Sequence, residues 1–237
     1  MGSLKEAIVL GGGLGTRLRS VQPHLPKILV PIAGRPFLSF VLDYLAREGI
    51  ERVLLSLGYR AEQVLEWLRT QRFSMEVMPV VEAEPLGTGG ALAYAWQAVV
   101  GEKALMMNGD TFFPISLAQM NQFHEEVGAS LSVALAWVSP ADRYGVVEVE
   151  GTWVKAFREK EPRPEGWIYG GIALAEAGWW RSQAWEKHFS WEAYLMQAVS
   201  HLRIGAFLAK ETPFIDIGVP TDYERAQTFV PLYALGR

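Results

Sequence analysis

The chain predicts an α/β fold of Rossmann-like type, a mixed, mostly parallel sheet flanked by helices, with a small mixed-sheet extension in its second half. Three observations carry that expectation. Short apolar runs alternate with stretches of helical periodicity as far as about residue 128, the rhythm of a parallel sheet with right-handed crossovers. Two glycine clusters and an Asn-Gly-Asp each follow a predicted strand. Beyond residue 129 the alternation gives way to a hairpin and further strands.

Taken in order, Ala7 to Leu10 reads as a first buried strand, and Gly11, Gly12, Gly13 and Gly15 follow it directly. Pro23 and Pro26 punctuate the next segment, Ile28 to Ile32 reads as extended, and Pro36 opens a helix, where its missing N–H costs little. Phe37, Phe40, Val41, Tyr44 and Leu45 recur at i, i+3, i+4, i+7 and i+8, one apolar helical stripe. Gly49 ends it, and Arg52 to Leu57 is a strand whose continuous Val53-Leu54-Leu55 suits a sheet covered on both faces. Ala61, Val64, Leu65 and Leu68 mark the next helix, and Met75 to Val81 the next strand. A second glycine loop, Glu82 to Gly90, precedes a helix carrying Leu92, Ala95, Trp96 and Val99. Lys103 to Met107 is a strand ending at Asn108-Gly109-Asp110, and Leu117 to Val127 is a helix capped by Ser116.

In the second half Ser130 to Val138 is a strand. Val147 to Val149 and Trp153 to Phe157 form a hairpin turning at Glu150-Gly151, and Ile168 to Leu174 is a further strand. Ala193 to Leu202 reads as helical, Phe214 to Ile217 as a short strand, and Thr221 or Asp222 starts a last helix through Gln227. Core packing or a subunit contact accounts for the cluster of Trp179, Trp180, Trp185 and Trp191. The expectation is one domain over 1–237, in two parts of different character, 1–128 and 129–237.

Composition narrows the function. Half of the 237 residues are hydrophobic, enough for a full core, and the net charge of −4 is scattered, which argues against non-specific nucleic-acid binding. The absence of cysteine excludes disulfides, thiol catalysis and thiolate metal sites and fits a reducing cytoplasm. Four apolar residues after Lys5 and Glu6 are too few for a signal peptide, and no apolar stretch approaches bilayer length, so a cytoplasmic protein with no membrane partner is expected. The four histidines show no metal-ligand spacing.

The dense glycines after the first strand let the backbone turn sharply and offer N–H groups to phosphate oxygens, and Arg17 adds a planar cation. The dinucleotide fingerprint fails because Thr16 stands where its last Gly is required, and the G-x-x-x-x-G-K-[ST] loop fails for want of its Lys. This removes the generic expectation of a nicotinamide-dependent dehydrogenase. Both glycine loops and Asp110 lie at predicted strand C-termini and should share one sheet edge, where ligands bind in such folds. Asp110 alone reads equally as an Asx-turn or a helix cap. Together with Asp216 and a phosphate loop it suggests a pair of carboxylates holding one Mg²⁺ that also grips substrate phosphates. Lys27, Lys160 and Arg17 are the cations to place near phosphate.

Gly11-Gly12-Gly13-Leu14-Gly15-Thr16-Arg17-Leu18, Pro26-Lys27, Glu84-Pro85-Leu86-Gly87-Thr88, Asn108-Gly109-Asp110, Phe157-Arg158-Glu159-Lys160 and Phe214-Ile215-Asp216-Ile217-Gly218 occur in that order. The set resembles the sugar-1-phosphate nucleotidylyltransferases over essentially the whole chain. Within that family it is most similar to the guanylyltransferases acting on D-glycero-α-D-manno-heptose 1-phosphate, through Asn108 to Phe113, Arg143-Tyr144-Gly145 and Asp216 to Ala226.

The resemblance implies transfer of a nucleoside monophosphate from a nucleoside triphosphate, GTP first, to a sugar 1-phosphate with release of pyrophosphate. It implies that Leu10, Gly11, Gly12, Gly13, Gly15 and Thr16 line the nucleotide site, with Arg17 on the leaving pyrophosphate and Lys27 among the phosphates. Asp110 and Asp216 would bind Mg²⁺, and Glu82, Gly87 and Thr88 would line the base pocket. Asn108, Gly145, Glu159 and Gly171 would serve the sugar, and Lys160 its phosphate. Adjacent strand residues point to opposite faces, so Glu159 and Lys160 can both reach the site only if the chain bends there. Two departures stand out: Gly11 replaces a common Ala, and Tyr169 stands where an Asn often contacts the sugar, which bears on the sugar's identity. The chain is too short for the left-handed β-helix that some relatives append. Mannose 1-phosphate with GTP, or glucose 1-phosphate with dTTP or UTP, would keep the same chemistry. A non-catalytic nucleotide-sugar sensor would keep the pocket alone, and a homo-oligomer is compatible with all of these.

Overall fold

The computed structural model describes residues 2–13 and 24–234. In the first half, β1 (Glu6–Leu10) is followed by a 3-10 turn (Lys27–Leu29), the short strands β2 (Pro31–Ile32) and β3 (Arg35–Pro36), α1 (Phe37–Arg47), β4 (Arg52–Leu57) and α2 (Ala61–Arg69). Then come β5 (Glu76–Val81), α3 (Gly87–Trp96), β6 (Lys103–Asn108), β7 (Thr111–Phe112) and α4 (Leu117–Val127). The second half runs β8 (Leu131–Val138), β9 (Gly145–Glu150), β10 (Trp153–Lys160), β11 (Gly166–Glu176), α5 (Ala177–Ser182) and α6 (Trp191–Ala198). It ends with β12 (Gly205–Ala209), β13 (Ile215–Asp216) and α7 (Pro220–Ala234).

Nine strands form one sheet in the order β5-β4-β1-β6-β11-β8-β12-β10-β9. The strands β5, β4, β1 and β6 are mutually parallel; β11 then runs antiparallel to β6 and β8, and β12 parallel to β8. The sheet is thus mixed, with its parallel character concentrated in the first half, and the second half continues the same sheet.

Alternation along the strands explains why both faces are apolar. Ala7, Val9, Val53, Leu55, Leu105 and Met107 face one side, packed with α1 and α7. Their neighbours Ile8, Leu54, Ala104 and Met106 face the other, against α3 and α6. A strand covered on both faces cannot spare alternate positions for polar residues, hence the unbroken apolar runs. The five-residue stripe of α1 is buried throughout, Pro36 precedes its first turn, and Ser116 Oγ accepts from Gln119 N at 3.3 Å to cap α4. Trp96 and Trp180 stack at 4.7 Å between ring centroids, and Trp191 is fully buried, so the tryptophan cluster is core between α3, α5 and α6.

Several local expectations are corrected. Ile28 to Ile32 is extended only at Pro31–Ile32, because Val30 N bonds back to Lys27 O and both Ile28 and Leu29 are buried, which a one-sided strand does not permit. The second glycine loop ends early: Gly87 to Gly90 form the first turn of α3. Helix α6 starts at Trp191 and ends at Ala198, capped by Ser190 Oγ, and α7 continues past Gln227 to Ala234 with Pro231 inside it. Strand β12 was not expected; Gly-Ala-Phe-Leu-Ala carries no β-branched residue, and its pairing with β8 outweighs propensity. Among the described residues no helix is long and apolar enough to cross a membrane.

Candidate active site

The register of the parallel strands places Leu10 beside Ser56 and Asn108, so the loops leaving β1, β4 and β6 share one edge. Each begins with a glycine. Gly11 N donates to Ser56 O at 2.7 Å and Gly109 N to Leu10 O at 2.9 Å. A Cβ on Gly109 would overlap the Leu10 carbonyl, so only glycine lets these two strand ends meet. Gly12 lies against Gly58 N and the Glu82 carboxylate, while a Cβ on Gly13 would meet nothing within 4 Å among the described residues. The side chain of Glu82 crosses Gly58, and its Oε2 accepts from Leu86 N at 3.3 Å; desolvation raises its pKa, partly offset by that bond. Gly58 is a site residue that the sequence reading did not single out, although its place after β4 matches those of Gly11 and Gly109. Gly15, Thr16 and Arg17 lie outside the described residues.

The 3-10 turn buries Ile28 and Leu29 and presents Lys27 to the same edge. Strands β7 and β13 pair antiparallel with Asp216 opposite Thr111, and Ile217 N donates to Asp110 O at 3.0 Å. That small ladder brings together two carboxylates far apart in sequence. Lys27 Nζ lies 2.5 Å from Asp110 Oδ2 and 3.4 Å from Asp216 Oδ1, and Gly218 N donates to Asp216 Oδ1 at 2.7 Å. Burial, then the charge of Asp110, raises the Asp216 pKa; Lys27 and the Gly218 N–H act in the opposite sense. The ammonium sits where a cation shared by both carboxylates is required. Among the described residues no group of three or more His, Asp or Glu side chains could hold a metal. Two carboxylates are hard oxygen donors, and such a pair suits an ion that draws its remaining ligands from water and substrate phosphates, as Mg²⁺ does.

Next to this triad a cleft of about 590 Å³ gathers Asn108, Asp110, Gly145, Glu159, Lys160, Gly171 and Asp216, drawn from the first and second halves of the chain. The adjacency of Glu159 and Lys160 is explained by the backbone. Phe157 pairs with Val147 and Lys160 with Gly145, so β10 carries an extra residue there, a β-bulge that bends the strand. Gly145 is needed because its Cβ would lie 2.6 Å from Arg158 O on that bulged strand. Strand β11 bulges too, between Tyr169 and Ile172, and Gly171 takes φ +74° there against Thr111 and Asn108. The cleft wall also includes Tyr144, Tyr169, Glu192, Met196 and Phe214. Of these, Tyr144 and Phe214 belong to runs that carry the resemblance and Tyr169 stands out as a departure, whereas Glu192 and Met196 were not singled out; Ser190-Trp191-Glu192 carries no signal beyond a helix cap. Arg143, in the quoted Arg143-Tyr144-Gly145 run, pairs with the buried Asp222 of α7.

Gly87 and Thr88 sit differently. Gly89 N donates to Phe189 O at 3.0 Å, and Cβ atoms on Gly87, Gly89 or Gly90 would strike the Lys187–Phe189 segment. Thr88 Oγ1 donates to Glu192 Oε2 at 2.9 Å and accepts from Trp191 N at 2.8 Å. The turn is bound to the start of α6, whose Glu192 lines the cleft.

Comparison with known proteins agrees with this geometry. The family model described as nucleotidyl transferase matches residues 6–230. The chain is 38% identical over 223 residues, 94% of its length and 96% of the relative's, to a D-glycero-alpha-D-manno-heptose 1-phosphate guanylyltransferase of Aneurinibacillus thermoaerophilus. It is 38% identical over 219 residues, 92% of this chain and 96% of the relative, to the protein of that name from Campylobacter jejuni. The crystal structure of HddC from Yersinia pseudotuberculosis superposes with a TM-score of 0.85 at 30% identity, covering 94% of this chain and 98% of that one. The same protein complexed with GMP-PN gives 0.83 at 29% identity over the same shares. The glycine-lined sheet edge, the Lys27–Asp110–Asp216 triad and these matches along nearly the whole length place the chain in the nucleotidyl transferase family.

Proposed function

We propose that the enzyme transfers a guanylyl group from GTP to a manno-configured sugar 1-phosphate, D-glycero-α-D-manno-heptose 1-phosphate before mannose 1-phosphate, and releases pyrophosphate in the cytoplasm. The observation that carries the reading is one cleft holding Lys27, Asp110 and Asp216 at its edge with Lys160 on its wall. Lys160 on the wall suits a sugar phosphate, and the Gly11 to Gly13 turn, which leaves β1 beside Asn108, suits a triphosphate. The relatives' names supply the heptose and the guanylyl group.

A sugar 1-phosphate is largely dianionic at pH 7, its second pKa being about 6, and so needs no general base. One of its oxygens forms a bond to the α-phosphorus as the bond from that phosphorus to the bridging oxygen breaks. Pyrophosphate then leaves with that electron pair. The protein's task is alignment and charge neutralisation. In this reading Leu10 and Gly11 line the site, the N–H groups of Gly12 and Gly13, with Gly15 and Thr16, cradle the triphosphate, and Arg17 and Lys27 neutralise the developing pyrophosphate. Lys160 holds the sugar phosphate in line, while Asn108, Gly145, Glu159 and Gly171 enclose the sugar. Asp110 and Asp216 would hold Mg²⁺, which when bound offsets phosphate charge. Glu82, with Gly87 and Thr88 beside it, supports the choice of base. A carboxylate accepts from the N1–H and amino group of guanine, but meets two carbonyls on uracil or thymine.

³¹P NMR of the protein with GTP, the heptose 1-phosphate and Mg²⁺ tests the reading. Two mutually coupled diphosphate resonances should grow with pyrophosphate, and the Lys160→Ala variant should slow both together. Hydrolysis of GTP to GMP or GDP with no sugar-linked diphosphate would contradict it.

A further inference from the structure

We infer that Asp222 and Arg143 are positioning residues for the carboxylate of Asp216, acting on it through Tyr144. The inference rests on the reading of Asp110 and Asp216 as the pair that holds Mg²⁺, and it adds the outer support that keeps one of them in place.

Asp216 has little hold of its own. It sits on β13, a strand of two residues in a sheet of only two strands. Two cavities meet at it: the cleft of about 590 Å³ and a second of about 630 Å³ that Arg143, Asp222 and Arg225 help to line. Tyr144, Phe214 and Asp216 line both, so the partition between the cavities is a thin layer of side chains.

The support comes from the second cavity. Asp222 is buried in the first turn of α7, and each of its oxygens takes one arginine. Its Oδ2 accepts from Arg143 Nη2, and its Oδ1 from Arg225 Nη1 at 3.1 Å. A guanidinium nitrogen of this kind carries two hydrogens, and the same Nη2 of Arg143 also donates to the Tyr144 hydroxyl oxygen at 3.1 Å. The Tyr144 ring meets the Phe214 ring edge to face at 5.8 Å between centroids, and Phe214 meets Phe113 in the same way at 5.8 Å. Phe214 is two residues before Asp216. Burial, then the charge of Asp216, raises the Tyr144 pKa, so the phenol stays neutral beside the carboxylate it supports.

The far end of this relay is itself fixed. Tyr223, next to Asp222, donates from its hydroxyl to Pro31 O at 2.8 Å, and Gln227 Nε2 donates to the same oxygen at 3.2 Å. Helix α7 therefore holds Asp222 in one frame with the turn that carries Lys27. Groups that hold a metal ligand from behind set its orientation, and losing one typically weakens metal affinity or activity by about 10- to 100-fold. The two arginines supply a control, because both pair with Asp222 but Arg143 is the one that extends the pairing to Tyr144.

The test reads Mn²⁺ binding by electron paramagnetic resonance, with the protein in excess over α,β-methylene GTP and no sugar phosphate, so that no turnover is involved. Alongside it, pyrophosphate release from GTP and D-glycero-α-D-manno-heptose 1-phosphate is followed against Mg²⁺ concentration. Arg143→Gln, Tyr144→Phe and Asp222→Asn should each weaken Mn²⁺ binding by about 10-fold, and the Arg143→Gln/Tyr144→Phe double variant should add no more than about twofold to either single loss. The Mg²⁺ requirement should rise in parallel while kcat at saturating Mg²⁺ stays within about threefold of the wild type. Arg225→Gln should bind Mn²⁺ as the wild type does. Wild-type Mn²⁺ binding in Arg143→Gln and Tyr144→Phe, an equal loss in Arg225→Gln, or a fall in kcat that excess Mg²⁺ does not restore would overturn the relay. If the buried Asp222→Asn does not fold, the half-exposed Arg143→Gln decides the matter. A wild type that binds no Mn²⁺ beyond the share of the nucleotide itself removes the carboxylate pair and the relay with it. One that binds Mn²⁺ yet releases no pyrophosphate defeats the transfer reading alone, and the resonance data still judge the relay.

Discussion

Two glycine clusters occupy the same edge of the sheet and answer to different demands. The turn at Gly11 to Gly13 lies against Ile28 and Gly58 on one side, and among the described residues nothing lies within 4 Å of where a Gly13 Cβ would sit. The turn at Gly87 to Gly90 is closed by its own chain, with Phe189 and the Lys187 carbonyl filling the space that side chains would need. Thr88 spends both its hydrogen-bonding directions on α6. Glycine density therefore tells where backbones approach closely, and only the neighbours tell whether the approach is to a ligand or to another part of the fold.

The contrast can be broken in stages. The largest effect belongs beside the open turn: Asp110→Asn or Asp216→Asn should each cut turnover by about 10²- to 10⁴-fold with the circular-dichroism melt little changed. Near-normal rates in both variants would remove the paired-carboxylate site. At the closed turn, Gly90→Ala opposes helix propensity, which favours Ala by about 1 kcal/mol, to a clash with the Lys187 backbone oxygen. Overpacking should win and lower stability by about 1–3 kcal/mol in urea titration; a more stable variant would show that the contact is not tight.

Among the described residues Gly13→Ala meets nothing within 4 Å, so its urea midpoint should match the wild type while KM for GTP rises several-fold. Loss of stability there would mean that the first turn is as structural as the second. The smallest effect lies away from both. His124, buried between Ser132 and Glu176 with Lys103 and Glu125 nearby, has its pKa lowered mainly by desolvation. Its neutral form is the folded one, so its contribution is present above the unfolded value of about 6.5 and is lost as pH falls from there through the folded pKa. Melting temperatures measured from pH 7.5 to 5 should fall more steeply for the wild type than for His124→Asn.

The parallel half was legible because doubly covered strands must be apolar at every position, as in Val53-Leu54-Leu55, and because glycine follows where strand ends meet. The triad was legible as residue types, since Lys27 follows a proline, Asp110 follows a strand and Asp216 lies in a short one. Their convergence depends on the two-residue ladder between β7 and β13, too short to carry a pattern of its own. The bulge that turns Glu159 and Lys160 into one cleft left a trace only as a conflict between adjacent residues and a shared site. Strand β12 and Glu192 were not legible. The first lacks β-branched residues and is held by tertiary pairing; the second is an ordinary first-turn glutamate until Thr88 and the cleft are seen beside it.

The central claim is tested most directly by initial rates of pyrophosphate release across GTP, ATP, CTP, UTP and dTTP, each paired with the manno-heptose, mannose and glucose 1-phosphates in Mg²⁺. The highest kcat/KM is expected at GTP with the manno-heptose 1-phosphate, with mannose 1-phosphate next. Strongest turnover with UTP or dTTP and glucose 1-phosphate would contradict the substrates, and silence across every pair would contradict the chemistry.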